Sequence, residues 1–448
     1  MIESCHDNNF RFIGLPRDPL QRHLTDGTPS AVRFGFRQTG TMRADVVVIG
    51  AGALGLSTAL QCALRGRSVV IVERHLAGSQ ASGRAAGLFK AIQADELRTS
   101  LAQSSIEQAI SFGDWAGVPL EVARSGSFLI ARTARHKEFV RAEASQSRGW
   151  GADVSEAARG DVASRVSYYR ESGDELAIWC PSDIYIEEPM SLVRAYVAAC
   201  RLHGVELLER DPAVGVLVSA GRVTGVEVAG RLIRARDVVD AAGAWARQVA
   251  ELAGGRLPVA PVRHQLLITA PSPDVDPAGP ITRVADAAVY LRPARGGLMF
   301  GGFETAPLPV DPRAEAAPFS TADVPLDLGV LRRLAGQVAA EAPLAAEGPV
   351  AEHRGGLFTM SPDGRFIAGP VPDVPGLWAA SGCNGSGFSS SLAIGAELAE
   401  WITAGSPPRG LAALAPGRFG AMTDDVLIER GIWQYERYYE PAGASPVR

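Results

Sequence analysis

Three glycines and one glutamate have the spacing of a site that holds a dinucleotide. Gly50, Gly52 and Gly55 form the pattern G-x-G-x-x-G between a run of valines and a stretch of helical apolar spacing. In such a turn the first glycine permits a tight bend, the second lets a pyrophosphate approach the backbone, and the third lets the helix pack closely on the strand. Glu73 follows roughly 20 residues later, where a carboxylate accepts hydrogen bonds from ribose hydroxyls.

The elements that must position these residues are predicted from the same stretch. Val46–Ile49 is short and β-branched, which is typical of an interior parallel strand. Residues 53–65 have helical spacing, and "SVVIVE" indicates a second strand that ends at Glu73. The result is a βαβ unit whose helix directs its free N–H groups and positive dipole end at the phosphates. The alternative is a glycine-rich turn that only packs a helix on a sheet.

Composition limits the remaining possibilities. The chain has 448 residues, 46% hydrophobic and 21% charged, and a net charge of −5. This length favours two domains, and the charge gives no reason to expect nucleic acid or an anionic membrane as a partner. The five cysteines lack the spacing of a zinc site or a disulfide framework, so no metal is expected and a reducing cytoplasm fits best. The sequence contains no run of about 18 apolar residues, so no membrane span is predicted.

Several motifs in order resemble the D-amino-acid-oxidase-like family of FAD-dependent amine oxidoreductases. They are "GAGALG" with Glu73, "VVDAAGAWA", "YLRPARGGLMFGGFE", "SPDGRFIAGPVPDVPGLWAASG" and "NGSGF". The resemblance implies an α/β (α+β) fold with a Rossmann-like FAD-binding domain and a second, substrate domain built on a large antiparallel sheet.

The resemblance also implies domain boundaries. The FAD-binding domain is expected at 42–122, 182–258 and 347–408, and the substrate domain at 123–181 and 259–346. Residues 1–41 are expected to be a poorly ordered extension, and 409–448 a C-terminal tail with an amphipathic helix.

FAD is favoured over NAD because a second glycine-rich loop, "SGCNGSGFSSS", precedes a predicted helix at 392–401. That helix N-terminus would stabilise the negative charge that a flavin gains with a hydride. Capping by Ser389 or Ser390 alone is the alternative explanation of the serines. The predicted cofactor-binding residues are Gly50, Gly52, Ala53, Leu54, Gly55, Glu73, Arg74, Ser82, Arg84, Ala86, Gly87, Val214, Ala242, Gly243, Trp245, Gly382, Asn384, Gly385, Ser386, Gly387 and Phe388.

Departures from the family pattern narrow the chemistry. Relatives that attach FAD covalently use a histidine or a cysteine at positions that are Arg84 and Gly356 here, so noncovalent FAD is predicted. Met299 replaces a lysine that helps oxygen accept electrons in monomeric sarcosine oxidases. A dehydrogenase that passes electrons to a quinone or an electron-transfer protein is therefore slightly favoured over an oxidase that uses oxygen.

Positions that bind the substrate carboxylate in relatives are neutral here, at Gly87, Phe358 and Ser389. Either the substrate is not a simple free amino acid, or other cations serve. The predicted catalytic residues are Tyr290, Arg292, Met299 and Arg354, with Lys90 as a further nearby cation. Tyr290 matches a substrate-facing tyrosine, although simple packing in the sheet is equally consistent. His264 and His353 are expected to be structural.

In the tail, Leu427, Ile428, Ile432, Tyr435 and Tyr439 fall on one helical stripe. Docking on the chain's own domain is the favoured interpretation, and a partner subunit (a possible oligomer) or a cover over the active site is the alternative.

The predicted function is FAD-dependent removal of a hydride from a carbon next to nitrogen, in a small amine or N-alkyl amino-acid derivative, followed by hydrolysis of the imine. Two alternatives stay open. One is an oxidase of a D-amino acid or a 2-hydroxy acid, and the other is a noncatalytic flavin-bearing subunit of a complex.

Overall fold

A six-stranded sheet carries the glycine turn at the carboxyl end of one of its central strands. The computed structural model describes residues 41–315, 318–408 and 410–440. Of the predicted extension 1–41, only Thr41 belongs to these residues. The strands of this sheet, in spatial order, are Ile367–Pro370, Leu377–Ser381, Asp237–Asp240, Val46–Ile49, Val69–Glu73 and Glu206–Glu209. All neighbours are parallel except the first pair.

The predicted βαβ unit is confirmed, with strands at Val46–Ile49 and Val69–Glu73 and a helix at Ala53–Leu64. The first strand is buried on both faces, which explains its unbroken apolar sequence. Val46 and Val48 pack on the side of the helices, whereas Val47 and Ile49 pack toward a second sheet. That sheet has four strands, Thr41–Arg43, Arg231–Arg234, Arg222–Val228 and Ala213–Ser219.

An eight-stranded sheet forms the other large layer. Its strands, in spatial order, are Val350–Met360, Ala260–Thr269, Gly297–Gly302, Val289–Ala294, Ile281–Val284, Ser127–Ala131, Leu176–Cys180 and Ser155–Glu156. The expected large antiparallel sheet is therefore confirmed, with one parallel pair between Ile281–Val284 and Ser127–Ala131. The edge strand Val350–Met360 falls in a segment that the predicted boundaries gave to the FAD-binding domain.

Helices cover these sheets, and the helices predicted at 53–65 and 392–401 are present as Ala53–Leu64 and Ser391–Ala404. The helices are Ala53–Leu64, Glu96–Ile110, Phe112–Ala116, Ala134–Gly149, Asp161–Arg165, Pro189–Leu202, Ala246–Leu252, Leu328–Gly336, Pro343–Glu347, Ser391–Ala404 and Asp424–Glu436. A two-stranded ladder joins Leu88–Phe89 to Ile184–Tyr185. Over the described ranges, no helix has the length and apolarity that crossing a bilayer requires.

The tail helix Asp424–Glu436 packs on the eight-stranded sheet. Thr423 caps its N-terminus by accepting a hydrogen bond from the Val426 amide, and two aspartates occupy its first turn. Leu427 and Tyr435 are buried. The favoured interpretation of the stripe, docking on the chain's own domain, is confirmed for these two residues.

Candidate functional site

The glycine turn is built by two contacts that exclude side chains. Gly50 has a φ of +106°, and a Cβ there would lie 2.5 Å from the Ala241 carbonyl oxygen. A Cβ on Gly55 would lie 2.0 Å from the Gly50 carbonyl oxygen. Gly52 differs, because its nearest neighbour would be the Ser82 hydroxyl at 3.2 Å. Gly50 and Gly55 therefore shape the turn, and Gly52 leaves space in front of it.

Glu73 closes the turn from the adjacent strand. Its carboxylate accepts hydrogen bonds from the Ala51 amide at 2.8 Å and from the His75 amide at 2.7 Å. Each oxygen retains a second lone pair for a ligand hydroxyl. Beyond it, the Arg74 guanidinium lies 4.5 Å from the ring centre of Trp245. The predicted acid thus orders the loop backbone at the place where a ribose would bind.

One cavity, with a volume of about 440 Å³, runs along the carboxyl edge of the six-stranded sheet to the face of the eight-stranded sheet. It brings together most of the predicted cofactor-binding residues. Those that line it are Gly50, Gly52, Ala53, Leu54, Glu73, Arg74, Ser82, Arg84, Ala86, Gly87, Val214, Ala242, Gly243, Trp245, Gly385, Ser386, Gly387 and Phe388.

Three predicted residues support the wall from behind and do not line the cavity. Gly55 packs against the turn, and Gly382 takes a φ of +56° beside Ile367. The Asn384 amide donates to the Gly382 carbonyl at 2.6 Å and accepts from the Ser361 amide at 2.9 Å. These contacts fix the path of the second glycine-rich loop.

That loop leads into the helix Ser391–Ala404, whose N-terminal residue Ser390 forms no side-chain capping bond. Ser389 donates instead to the Ser386 carbonyl at 3.2 Å. The alternative that the serines simply cap the helix is therefore wrong. The loop residues Gly385–Ser389 face the cavity, so the positive end of the helix dipole contributes to its potential.

Aromatic rings enclose the opposite end of the cavity, which we call the aromatic chamber. Its walls are Tyr290, Phe303, Phe358, Phe388, Tyr438 and Tyr439. Phe303 stacks on Tyr438 with ring centres 4.1 Å apart and planes at 11°. The two tyrosines at 438 and 439 come from the tail, so the alternative that the tail covers this region has direct support.

His264 links the tail to the chamber. Its Nδ1 lies 2.8 Å from the Tyr435 hydroxyl and its Nε2 lies 2.9 Å from the Tyr290 hydroxyl. Its ring stacks on Phe358 at 4.1 Å. Burial lowers the pKa of His264 to about 3, so the ring is neutral and accepts one of the two hydrogen bonds while it donates the other.

Comparison with protein families agrees with this arrangement of loop, acid and chamber. Residues 45–401 match the family described as "FAD dependent oxidoreductase". The chain belongs to this family. Its cofactor is FAD.

Curated relatives of this FAD-dependent oxidoreductase include mitochondrial dimethylglycine dehydrogenase of Mus musculus, 27% identical over 93% of the chain and 48% of the relative. Mitochondrial sarcosine dehydrogenase of Homo sapiens is 26% identical over 94% of the chain and 46% of the relative. The chain spans about half the length of these two relatives. L-proline dehydrogenase from P. horikoshii has a TM-score of 0.76 at 22% identity, covering 85% of this chain and 98% of that chain, which shows a shared fold.

The residues along the cavity fit FAD. The space in front of Gly52 would be filled by a side chain, as expected where a pyrophosphate lies against backbone. The Arg84 Nε and the Ser381 Oγ are buried without a hydrogen-bond partner in the described structure, and both residues line the cavity. Such atoms call for a polar ligand. Within 41–315, 318–408 and 410–440, no group of three His, Cys, Asp or Glu is arranged to hold a metal ion.

The four predicted catalytic residues separate into two pairs. Tyr290 and Arg354 line the cavity, and Arg292 and Met299 do not. The Arg292 guanidinium is fully buried and donates to the carbonyls of Ala86, Pro293 and Glu187 at 2.7–2.9 Å. Burial lowers its pKa to about 10. Its contacts hold the loop that contains Ala86 against the sheet.

Met299 lies in a dry apolar cluster with Leu266, Ile268 and Ala294, and its side chain has no exposed surface. It lies on the same face of the sheet as Tyr290, but Ala86 packs against its cluster and Met299 does not line the cavity. A charged residue at this position would be buried among apolar groups, so the absence of a lysine here does not by itself decide the electron acceptor.

Tyr438 and Tyr439 are site residues that the sequence patterns did not identify as such. The apolar stripe included Tyr439, for which packing was the favoured role and a cover over the active site the alternative, and it did not include Tyr438. The helix ends at Glu436 and the chain then turns, so the helical period no longer applies. The signal available was the composition "YERYYE", in which three tyrosines occur within five residues.

Proposed function

We propose that this FAD-dependent oxidoreductase removes a hydride from a carbon next to nitrogen in a small amine or N-alkyl amino-acid derivative. The observation that carries the proposal is the aromatic chamber, which opens into the same cavity as the dinucleotide turn. Aromatic faces attract the cationic or methylated nitrogen of such substrates and exclude water from the reacting carbon.

The chamber residues would orient the substrate. The neutral His264 holds the Tyr290 hydroxyl at 2.9 Å, so that phenol is fixed toward the cavity. Arg354 donates to the Ala85 carbonyl and pairs with Glu352, while its Nε is buried without a partner in the described structure. We assign Arg354 to a substrate carboxylate, in place of the basic residues that relatives use.

When bound, FAD supplies the two-electron acceptor that takes the hydride. The protein contributes the orientation of the carbon–hydrogen bond and a dry environment, and the imine product hydrolyses in water. We further propose that FAD is held noncovalently, since Arg84 and Gly356 offer no attachment atom. We further propose that a quinone or an electron-transfer protein, slightly favoured over oxygen, accepts the electrons from the reduced flavin. A cytoplasmic location also stays a prediction.

The test is an anaerobic bleaching screen of the purified holoprotein. Secondary and tertiary amines, N-methyl amino acids, D-amino acids and 2-hydroxy acids are added separately while flavin absorbance is followed. We expect bleaching by N-alkyl amino acids. Bleaching by 2-hydroxy acids alone would contradict the proposal, and no bleaching by any class would favour a noncatalytic flavin-bearing subunit.

An Arg354→Met variant separates the roles of carboxylate and amine. We expect it to weaken binding of the N-alkyl amino acid about 10-fold or more, consistent with the loss of a charge-assisted hydrogen bond. An amine without a carboxylate should bind equally to both proteins. Equal weakening of the two ligands would argue against this role for Arg354.

A further inference from the structure

The hydroxyl of Tyr438 has a lysine as its partner inside the aromatic chamber. Lys90 Nζ donates to this hydroxyl at 2.7 Å and lies 4.7 Å from the ring centre. The Ser386 hydroxyl, on the second glycine-rich loop, lies 3.5 Å from the same phenol oxygen. All three residues line the cavity. Lys90 forms no ion pair with a carboxylate in the described parts of the chain.

The other chamber tyrosines have different surroundings. Tyr290 bonds to the neutral ring of His264, and burial raises its pKa. Burial likewise raises the pKa of Tyr439. For Tyr438 burial acts in the same direction, but the Lys90 charge, the hydrogen bonds from Lys90 and Ser386, and the Arg283 charge outweigh it, so its pKa lies below the ordinary value of 10.0. The phenolate form of Tyr438 is thus stabilised relative to the phenolate forms of Tyr290 and Tyr439.

We propose that Tyr438, held beside Lys90 by the tail, is the base that accepts the proton of the substrate ammonium group before hydride removal. This inference rests on the proposed function, because it requires an amine in the chamber. The geometry that carries it is a phenol that accepts a hydrogen bond from Lys90, belongs to a residue that lines the cavity, and lies beside Ser386 of the second glycine-rich loop.

The step balances without a further reagent. The nitrogen–hydrogen bond of the ammonium group breaks, its electron pair stays on nitrogen, and the proton forms the oxygen–hydrogen bond of neutral Tyr438. The carbon–hydrogen bond then breaks with loss of a hydride, that is, the hydrogen with both bonding electrons, which bound FAD would accept. The nitrogen lone pair forms the carbon–nitrogen double bond of the iminium product. The Tyr438 proton then leaves to water.

Charges around the pair set its pH dependence. Lys90 and Arg283 favour the phenolate of Tyr438, whereas negative charge on the phenol of Tyr290 or Tyr439 opposes it. The titratable or charged groups that face the pair are Glu143, Asp183, Arg283, Tyr290 and Tyr439. Removal of the Lys90 charge should therefore raise the pKa of Tyr438 above the ordinary value for a phenol.

A spectroscopic titration of the holoprotein tests the pair without any substrate. Tyrosinate absorbance is followed from pH 6 to pH 11 in wild type, Tyr438→Phe, Lys90→Met and Tyr168→Phe. We expect one tyrosinate to form below pH 10 in wild type and in Tyr168→Phe, whose phenol is buried against Pro280 elsewhere. This signal should vanish in Tyr438→Phe and shift upward in Lys90→Met. Identical titrations of all four proteins would overturn the proposal.

The rate of anaerobic flavin reduction by the amine found in the screen gives the second measurement. In Tyr438→Phe we expect a loss of about 10²-fold at neutral pH, recovered at high pH where the free amine predominates. A loss that is the same at every pH would indicate a structural role and overturn the base assignment. A normal tyrosinate signal combined with no reduction by any amine would overturn the base assignment together with the proposed function, although the ion pair itself would stand.

Discussion

Gly52 is the glycine of the turn that tests cofactor binding most cleanly. Its backbone, with φ −78° and ψ 177°, is one that any residue adopts. A Cβ there would have only the Ser82 hydroxyl within 4 Å, and Gly52 lines the cavity. Gly50 and Gly55 do not offer this separation, because a Cβ at either position collides with backbone atoms.

We therefore expect Gly52→Val to fold and to lose FAD. The valine would occupy the space that a pyrophosphate needs, so the FAD content of purified protein should fall by at least about 10-fold, or roughly 1.4 kcal/mol in binding. The control is Gly149→Val, at a helix end where a Cβ meets nothing within 4 Å. Full FAD content with folded Gly52→Val protein would refute the placement of the phosphates.

His264 predicts an acid sensitivity of the folded state. Its pKa is about 3 in the folded protein against 6.5 for the free side chain. The unfolded chain binds a proton as the pH falls below 6.5, and the folded chain does not, so stability is present above pH 6.5 and is lost progressively toward pH 3. Between pH 6.5 and pH 5 this one group should cost about 2 kcal/mol.

Urea unfolding at pH 5 and pH 7.5 measures this dependence. His264→Gln should have a lower midpoint at both values, because the contacts with Tyr435 and Tyr290 are altered. The difference between the two pH values should nevertheless shrink by about 2 kcal/mol relative to wild type. An unchanged difference would show that another group dominates the acid response.

At the scale of elements, the tail helix shows what periodicity can and cannot predict. The stripe correctly indicated a helix that docks through Leu427 and Tyr435. The stripe could not indicate that Tyr435 bonds to His264, about 170 residues earlier in the chain, because hydrogen bonds across such a distance leave no periodic signal. Helical periodicity did not predict Tyr438 as a site residue either, because Tyr438 follows the end of the helix at Glu436.

Removal of the tail should expose the aromatic chamber to solvent and leave the residues at the nucleotide end of the cavity in place. A chain that ends at Ala421 loses Tyr438 and Tyr439 but keeps the Gly50 turn, Glu73 and the loop Gly385–Ser389. We expect near-normal FAD content together with stronger quenching of flavin fluorescence by iodide. Thr423→Ala is the matched control, because it weakens only the helix cap by about 1 kcal/mol. Equal quenching in wild type and the truncated protein would contradict the covering role.

Across the whole molecule, the Rossmann-like unit could be predicted from local sequence patterns, whereas the large sheet could be predicted only from the resemblance of motifs to a known family. Val46–Ile49 is identifiable because a strand buried on both faces must be uniformly apolar. Arg292 and Met299 show the limit of such reasoning. Both lie on the same face of the sheet as Tyr290, but the loop that contains Ala86 covers them. That contact joins segments about 200 residues apart in the chain, so no local pattern predicts it.

The two strands that flank Val46–Ile49 in the sheet are synthesised at very different times. Val69–Glu73 follows directly, but the other flanking strand, Asp237–Asp240, emerges about 190 residues later, which takes roughly 10 to 40 s at ordinary translation rates. Until then a valine-rich edge has no partner on that side, and such an edge is prone to pair with other chains. Slower initiation or lower temperature during production, which keeps nascent chains apart, is therefore expected to raise the yield of folded protein.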